Sequence, residues 1–415
     1  MKTNIKKIEL GIGFVTGRKN ACKVINKYYK NILEQTKRYK KPVNITFFIL
    51  YDEEYQNTPK EDFYKILPEV YKEIHVKYIT PENIQEDIKI LKGRYDFSNK
   101  QANYILGHGH AKGRNTIMYN AIKRNIDYLL FWDDDEYPVA CVKQEDEIKW
   151  IKQDNILKHL ENIEKTDVSV GFHCGYISPI PYLELNEEIE ESIFKKYIQA
   201  ISNEIIEWDN IKKIMIDNNG VTYANEEIIN NGKIKEIQMT NGGKWVAGST
   251  LCINLRHLDK IPAFYNPPEA RGEDTFFSMS LQDSKVIRVP VYHFHDGFLK
   301  YTSIMEEKYP KKLRRIQRKE EMVGSRFLKA SLGWLKYKPL LLYIKDKKTY
   351  KQEINNIRQN LQESVPTMIK LCNDNGFYQL LDVLDEYDKN VQKHYKEFIE
   401  ANEVWNKIKQ NLKQK

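Results

Sequence analysis

The chain has 415 residues, 41% hydrophobic and 30% charged, with 27 Tyr, 16 Phe and 6 Trp. That composition excludes a wholly disordered chain and suits one large α/β unit with an appendage, or two to three ordinary domains. The net charge of +8 is concentrated: residues 305–348 hold 14 Lys/Arg against 5 Asp/Glu, so the rest of the chain is close to neutral.

No apolar run approaches the ~18 residues a membrane-spanning helix needs. Five scattered cysteines without a CxxC pair argue against a disulfide framework or a thiolate zinc site, and fit a reducing compartment. The N-terminus carries lysines, but Glu9 interrupts its apolar stretch. It reads as the first strand and not as a signal peptide.

In chain order, residues 8–16 predict a strand, 17–20 a loop and 21–33 a helix by the spacing of apolar positions. Residues 43–51 are a strongly apolar second strand, and 73–79 a shorter third. The Gly107-His-Gly-His110 loop leads into a helix over 113–123. Residues 128–132 then form a buried strand that runs straight into Asp133-Asp134-Asp135-Glu136. Further strands are expected at 168–176, 245–255 and 285–295, with a helix near 186–215. Two Asn-Gly turns lie at 219–220 and 231–232, the second with strand-like flanks. From Met305 onward the pattern is helical and polar. Strands alternating with helices predict a mainly parallel sheet with both faces covered.

Three segments can carry chemistry. The acids 133–136 stand where a strand stops, the edge at which parallel α/β sheets bind ligands. Alternation puts Asp133 and Asp135 on one side if the strand continues, and converging carboxylates suit Mg²⁺ or Mn²⁺. The bland reading is a solvated acidic turn. In Arg271-Gly272-Glu273-Asp274-Thr275, a glycine precedes acids that open a helix, as in simple N-terminal capping or as a general base at a cleft edge. In the strand 285–295, His293 and His295 share a face, as metal ligands or as packed residues.

Taken in this order, the segments resemble the GT-A glycosyltransferases, most closely the family 2-like bacterial members, over residues 8–300. Asp133-Asp134-Asp135 is similar to the DxD motif, and Gly109-His-Ala-Lys-Gly-Arg114-Asn115 to the stretch that leads into the preceding helix, with Lys112 and Gly113 as departures. Gly272-Glu273-Asp274 is similar to the pair whose Asp is the base of inverting members. The second strand ends in Tyr51-Asp52-Glu53-Glu54 where the family shows Asp-Asp-Gly-Ser. Neither Gln-x-x-Arg-Trp nor membrane helices are found, which points to one sugar per event.

The resemblance implies an α/β fold of GT-A type over residues 1–300, Rossmann-like and mainly parallel, with a helical, basic region over 301–415. It implies a metal-dependent hexosyl- or N-acetylhexosaminyltransferase with a UDP-sugar as the expected donor. Asp274 would be the base and Glu273 an orienting acid. Mn²⁺ or Mg²⁺ would lie on Asp133, Asp135 and one of His293 and His295. Thr16, Arg18, Asp52, Lys112, Arg114, Asp133, Asp134 and Trp245 would contact the donor. A core position accounts for Trp245 equally well.

The acceptor would be a glycan, a lipid-linked sugar or a protein in bacterial glycoconjugate synthesis. Residues 305–348 mix Phe327, Trp334 and Leu340–Leu342 with lysines. Such a segment can lie on an anionic membrane from the cytoplasmic side, or pack as a helix on the catalytic domain, and packing is favoured. The C-terminal helices could serve dimerisation. The alternatives are a sugar-nucleotide nucleotidyltransferase, which would need a Gly-rich loop with Arg and Lys near residues 11–19, and a basic nucleic-acid-binding protein. A nucleic-acid partner is not expected, because the charge is confined to one stretch.

Overall fold

A computed structural model describes residues 6–176, 179–182, 190–202 and 207–413. Its strands are β1 Ile8–Thr16, β2 Val43–Tyr51, β3 His75–Ile79, β4 Tyr128–Phe131, β5 Glu136–Tyr137, β6 Val139–Gln144 and β7 Glu147–Lys152. They continue with β8 Val168–Tyr176, β9 Val221–Thr222, β10 Lys235–Glu236, β11 Leu251–Asn254 and β12 Val286–His295. The main sheet runs β10-β12-β8-β11-β4-β1-β2-β3. Strands β3, β2, β1 and β4 are parallel. β11 is antiparallel to both its neighbours, and β12 is parallel to β8. The α/β fold class stands, with a central sheet flanked by helices and a helical C-terminal region.

Alternation along β1 and β4 divides the core in two. Ile8, Leu10, Ile12 and Phe14 of β1 join Tyr128, Leu130 and Trp132 on one face, covered by the helices Asn20–Arg38 and Asn155–Ile163. Leu129 and Phe131 enter the other face, which also holds Ile117 and Met118 of the helix His110–Lys123. On that side β1 offers Gly11 and Gly13, and a Cβ there would meet Leu129 or Ile117 at 3.0 Å. The two glycines are therefore packing positions inside a strand, not a phosphate loop.

The C-terminal helices belong to the same core. Phe327, Trp334, Leu335, Leu340 and Leu341 of the helix Val323–Lys345 are buried in one cluster with Phe131, Phe276 and Phe277. The apolar face expected either on a membrane or on the domain is packed on the domain. The helices Tyr350–Cys372 and Val391–Lys413 extend that cluster through Leu361, Met368, Phe398 and Trp405. Among the described residues no helix is long and apolar enough to cross a membrane.

Three expectations differ. The strand over 245–255 is only Leu251–Asn254, because residues 245–250 are irregular. Asn219 and Gly232 close the helices Trp208–Asn218 and Glu226–Asn231, so neither Asn-Gly pair makes a hairpin. An Asn suits the left-handed helix terminus as well as it suits a tight turn. The helix near 186–215 is two helices, Glu191–Ile201 and Trp208–Asn218, and its residues 186–189 and 203–206 lie outside the described residues.

Candidate active site

Parallel strands bring their carboxyl ends to one edge, and that edge is where the chemistry-bearing residues gather. Thr16 closes β1, Asp52 follows β2, and the acids 133–136 follow β4. β11 runs the other way, so its leading segment, Ala247–Gly248–Ser249, reaches the same edge. The helices His110–Lys123 and Glu273–Ser280 also begin there. Together these elements wall a cavity of about 460 Å³. Its lining includes Thr16, Arg18, Asp52, Arg114, the four acids 133–136, His173, Glu273, Asp274 and His295.

Strand geometry does not persist into the acids. β4 stops at Phe131 and the chain turns at Asp134-Asp135. Trp132, wedged near Phe14 and Tyr28, closes the turn by donating its indole N–H to the Glu136 carbonyl at 3.0 Å. Asn20 Nδ2 donates to the Asp134 carbonyl, and Asp296 N to that of Asp135 at 2.9 Å. Asp133 and Asp135 line one cavity, but a turn and not strand alternation puts them there, and they meet different partners. Asp133 Oδ1 accepts from Arg114 Nη2 at 3.3 Å. Arg18 Nη1 donates to Asp134 Oδ1 at 2.9 Å and to Asp135 Oδ2 at 2.6 Å, and the Thr16 hydroxyl donates to Asp134.

Glu136 is the innermost acid. It meets His173 Nε2 and His293 Nδ1, each at 3.0 Å, and accepts from the Ser249 hydroxyl. Burial alone would raise its pKa, but the two histidines hold it well below the usual carboxylate range. Burial and the opposing pull of Arg114 leave Asp133 pushed up to about 7; Asp134, buried beside Arg18, rises to about 6. Asp135 ends lowered, because Arg18 and His295 outweigh its burial.

Arg114 is the central cation. Its side chain is 7% exposed, lies over the Phe131 ring at 4.9 Å, donates to the Gly248 carbonyl and stands 3.8 Å from Glu273. A Cβ at Gly248 would meet the guanidinium at 3.0 Å, so glycine there lets Arg114 in. The next residue has a structural task. Asn115 is fully buried, donates to the Phe264 carbonyl and accepts from Phe264 N, both at 2.8 Å. Asn115→Ala should cost about 2 kcal/mol in a denaturant melt, since it leaves two buried backbone groups unpaired.

Glu273 and Asp274 open their helix after Gly272, whose φ of +97° is in the left-handed region. A Cβ at Gly272 would lie 2.7 Å from the Tyr337 ring of the C-terminal helix, so glycine is required twice over. Asp274 Oδ1 accepts from its neighbour Thr275 N, at 2.9 Å. Burial first, and Glu273 second, push the Asp274 pKa up to about 7. Glu273 ends lowered: burial raises it, but His110 and Arg114 outweigh that.

A divalent ion implied by the resemblance does not fit the carboxylates as they stand. Among the described residues no three His, Cys, Asp or Glu side chains are grouped to hold a metal ion. Arg18 already occupies Asp134 and Asp135. His293 is turned to Glu136, and among the described residues its buried Nε2 has no hydrogen-bond partner. His295 approaches a ligand expected of the motif, with Nε2 3.9 Å from Asp135 Oδ1. Mn²⁺ alone should therefore leave the melting temperature unchanged, whereas a rise with the metal alone would mean that Arg18 yields these acids without a nucleotide.

Two residues expected to contact the donor lie off this cavity. Trp245 does not line the cavity; its indole N–H donates to the Thr240 carbonyl at 2.8 Å and its ring packs against the core. Lys112 is exposed and off the cavity, because the helical turn that points Arg114 inward carries residue 112 outward. Sequence reading missed Glu136 and His173 as a pair, Ser249, His110, Arg271 and Arg326. Glu136, His110 and Arg271 lie inside the segments singled out by sequence, and His173 is a polar residue inside the apolar strand 168–176. Arg326 had no such signal, because its position depends on how the C-terminal helix docks.

No protein-family model matches the chain, and no curated protein matches it. Among solved structures, the chain is similar to TarS 1-349 of S. aureus. The identity is 11% over 94% of this chain and 91% of that chain, with a TM-score of 0.35.

Proposed function

We propose that the chain is a glycosyltransferase of GT-A type, moving one sugar from a nucleoside-diphosphate sugar to an acceptor hydroxyl with inversion. The observation that carries this reading is Asp274: a carboxyl with a pKa of about 7, free of any cationic hydrogen-bond partner among the described residues, facing the cavity that Thr16, Asp52 and the acid turn share. A base is most effective when its pKa lies near the working pH. The acceptor oxygen attacks the anomeric carbon while its proton passes to Asp274. The bond from that carbon to the diphosphate breaks, and its electron pair leaves with the diphosphate. No step is assigned to a metal ion.

Thr16 and Asp52, at the ends of neighbouring strands, are the residues offered to the base and ribose. UDP-sugars are the first donors to test, and a glycan, a lipid-linked sugar or a protein remains the proposed class of acceptor. The nucleotidyltransferase reading is less well supported. Gly11 and Gly13 lie within β1, and among the described residues no lysine lines the cavity.

Thermal shift with UDP, GDP, CDP and dTDP tests the reading, because a ligand of the native state raises its melting temperature. One nucleotide is expected to stabilise the chain, and its sugar conjugates to be hydrolysed slowly when no acceptor is present. Stabilisation by none of the four, with no hydrolysis, would remove the proposal.

A further inference from the structure

Four guanidinium groups enter the cavity, and they divide into two kinds. Arg18 is paired with Asp134 and Asp135, and Arg114 with Asp133. Arg271 and Arg326 line the same cavity, yet among the described residues neither has a carboxylate within ion-pair distance, and Asp135 and Glu273 act on them only from further away. Among the described residues the same cavity is lined by seven acids.

Both side chains are held in place without being neutralised. Arg271 N donates to the Gly333 carbonyl at 3.0 Å, and a Cβ at Gly333 would meet Arg271 Cγ at 3.0 Å, so the stem lies against the C-terminal helix. Arg326, in the first turn of that helix, gives Nη2 to the Gly297 carbonyl and lies near the Phe298 ring. Both are half-buried. Burial, then Arg18 and more weakly Arg271, depress the Arg326 pKa, and Asp135 and Tyr55 offset this only in part, so these cations feel one another. Fixed, partly desolvated cations near a third cation are costly unless an anion completes them. The planar fork of guanidinium matches phosphate oxygens bidentately.

We infer that Arg271 and Arg326 form a phosphate-binding pair that receives a phosphate group of a substrate, so that the C-terminal helix is part of the active site. Under the transferase reading, on which only the phosphate's identity rests, the group is the donor's diphosphate. A phosphate carried by the acceptor would meet the same chemistry.

Isothermal titration of the full chain separates these. The ligands are inorganic pyrophosphate, UDP, uridine and glycerol 1-phosphate, and the proteins are wild type, Arg271→Gln, Arg326→Gln and Arg326→Lys. Each Gln variant is expected to weaken pyrophosphate and UDP at least tenfold and to leave uridine unchanged. Arg326→Lys should fall between, because charge remains but the fork is lost. Loss of glycerol 1-phosphate binding with UDP retained would assign the pair to the acceptor's phosphate. Unchanged affinity of both Gln variants for all three phosphate ligands would overturn the inference, as would a wild type that binds none of them.

If a variant fails to fold, phenylglyoxal labelling of the wild type decides. Pyrophosphate should protect Arg271 and Arg326, and equal labelling with and without it would overturn the inference. A wild type that binds pyrophosphate through these arginines but hydrolyses no sugar nucleotide would keep the anion site and lose the transferase.

Discussion

Asp274→Asn should lower turnover by ~10²- to 10⁴-fold, the range that loss of a general base costs, and should raise stability above neutral pH. The opposite signs follow from one property. Burial and the neighbouring Glu273 lift the Asp274 pKa to about 7, against about 4 for an unperturbed Asp. The folded state thus holds this proton more tightly than the unfolded chain does. Its contribution to stability is fully present below pH ~4 and is lost as the pH rises through about 7. An amide escapes that loss.

At pH 8 the variant should therefore melt above the wild type, and near pH 4 the two should coincide. Wild-type turnover should climb with pH through about 7 as the carboxylate forms. Glu273→Gln removes the adjacent negative charge and should move that rising limb to lower pH. Rate–pH profiles and melting curves check all three outcomes. Near-normal turnover of Asp274→Asn would exclude Asp274 as the base.

Arg114→Ala should cost about 3 kcal/mol of folding stability and abolish nucleotide binding. Stripping one partner from a buried ion pair costs about 3–5 kcal/mol, and the lower end applies because Asp133 is 38% exposed to the cavity. The loss has several parts. The Gly248 carbonyl loses its donor, Asp133 and Glu273 lose their shared cation, and a hollow opens between Phe131 and Phe264. Arg114→Lys should recover little, since one ammonium cannot lie flat on a ring and serve three acceptors. The denaturant midpoint at constant m reads the stability change. A shift below 1 kcal/mol would show that the cavity acids find other compensation.

Much of the framework was legible in the sequence for local reasons. β1, β2 and β8 match their expected bounds, because a buried strand is a short apolar run bracketed by turn residues. The helix expected over 113–123 was legible from its glycine-rich approach, though it starts three residues earlier at His110, and the one at Glu273 from Gly272 and the acids after it. That Glu273 and Asp274 would join Asp133, Asp134 and Asp135 was implied by the resemblance alone; they line one cavity because strand ends and helix starts of an α/β sheet share an edge.

What the sequence by itself determined is the set of elements and which of their ends carry charge, since propensity, periodicity and caps act over a few residues. The tertiary structure decided who pairs with whom. The turn after Phe131 splits the acids between Arg18 and Arg114, and the reversed direction of β11 brings Gly248 and Ser249 to the edge. Docking of the helix Val323–Lys345 places Arg326 and Tyr337 in the cavity wall. These contacts join residues far apart in the chain, and long-range packing and ion pairing carry no local periodicity from which they could be read.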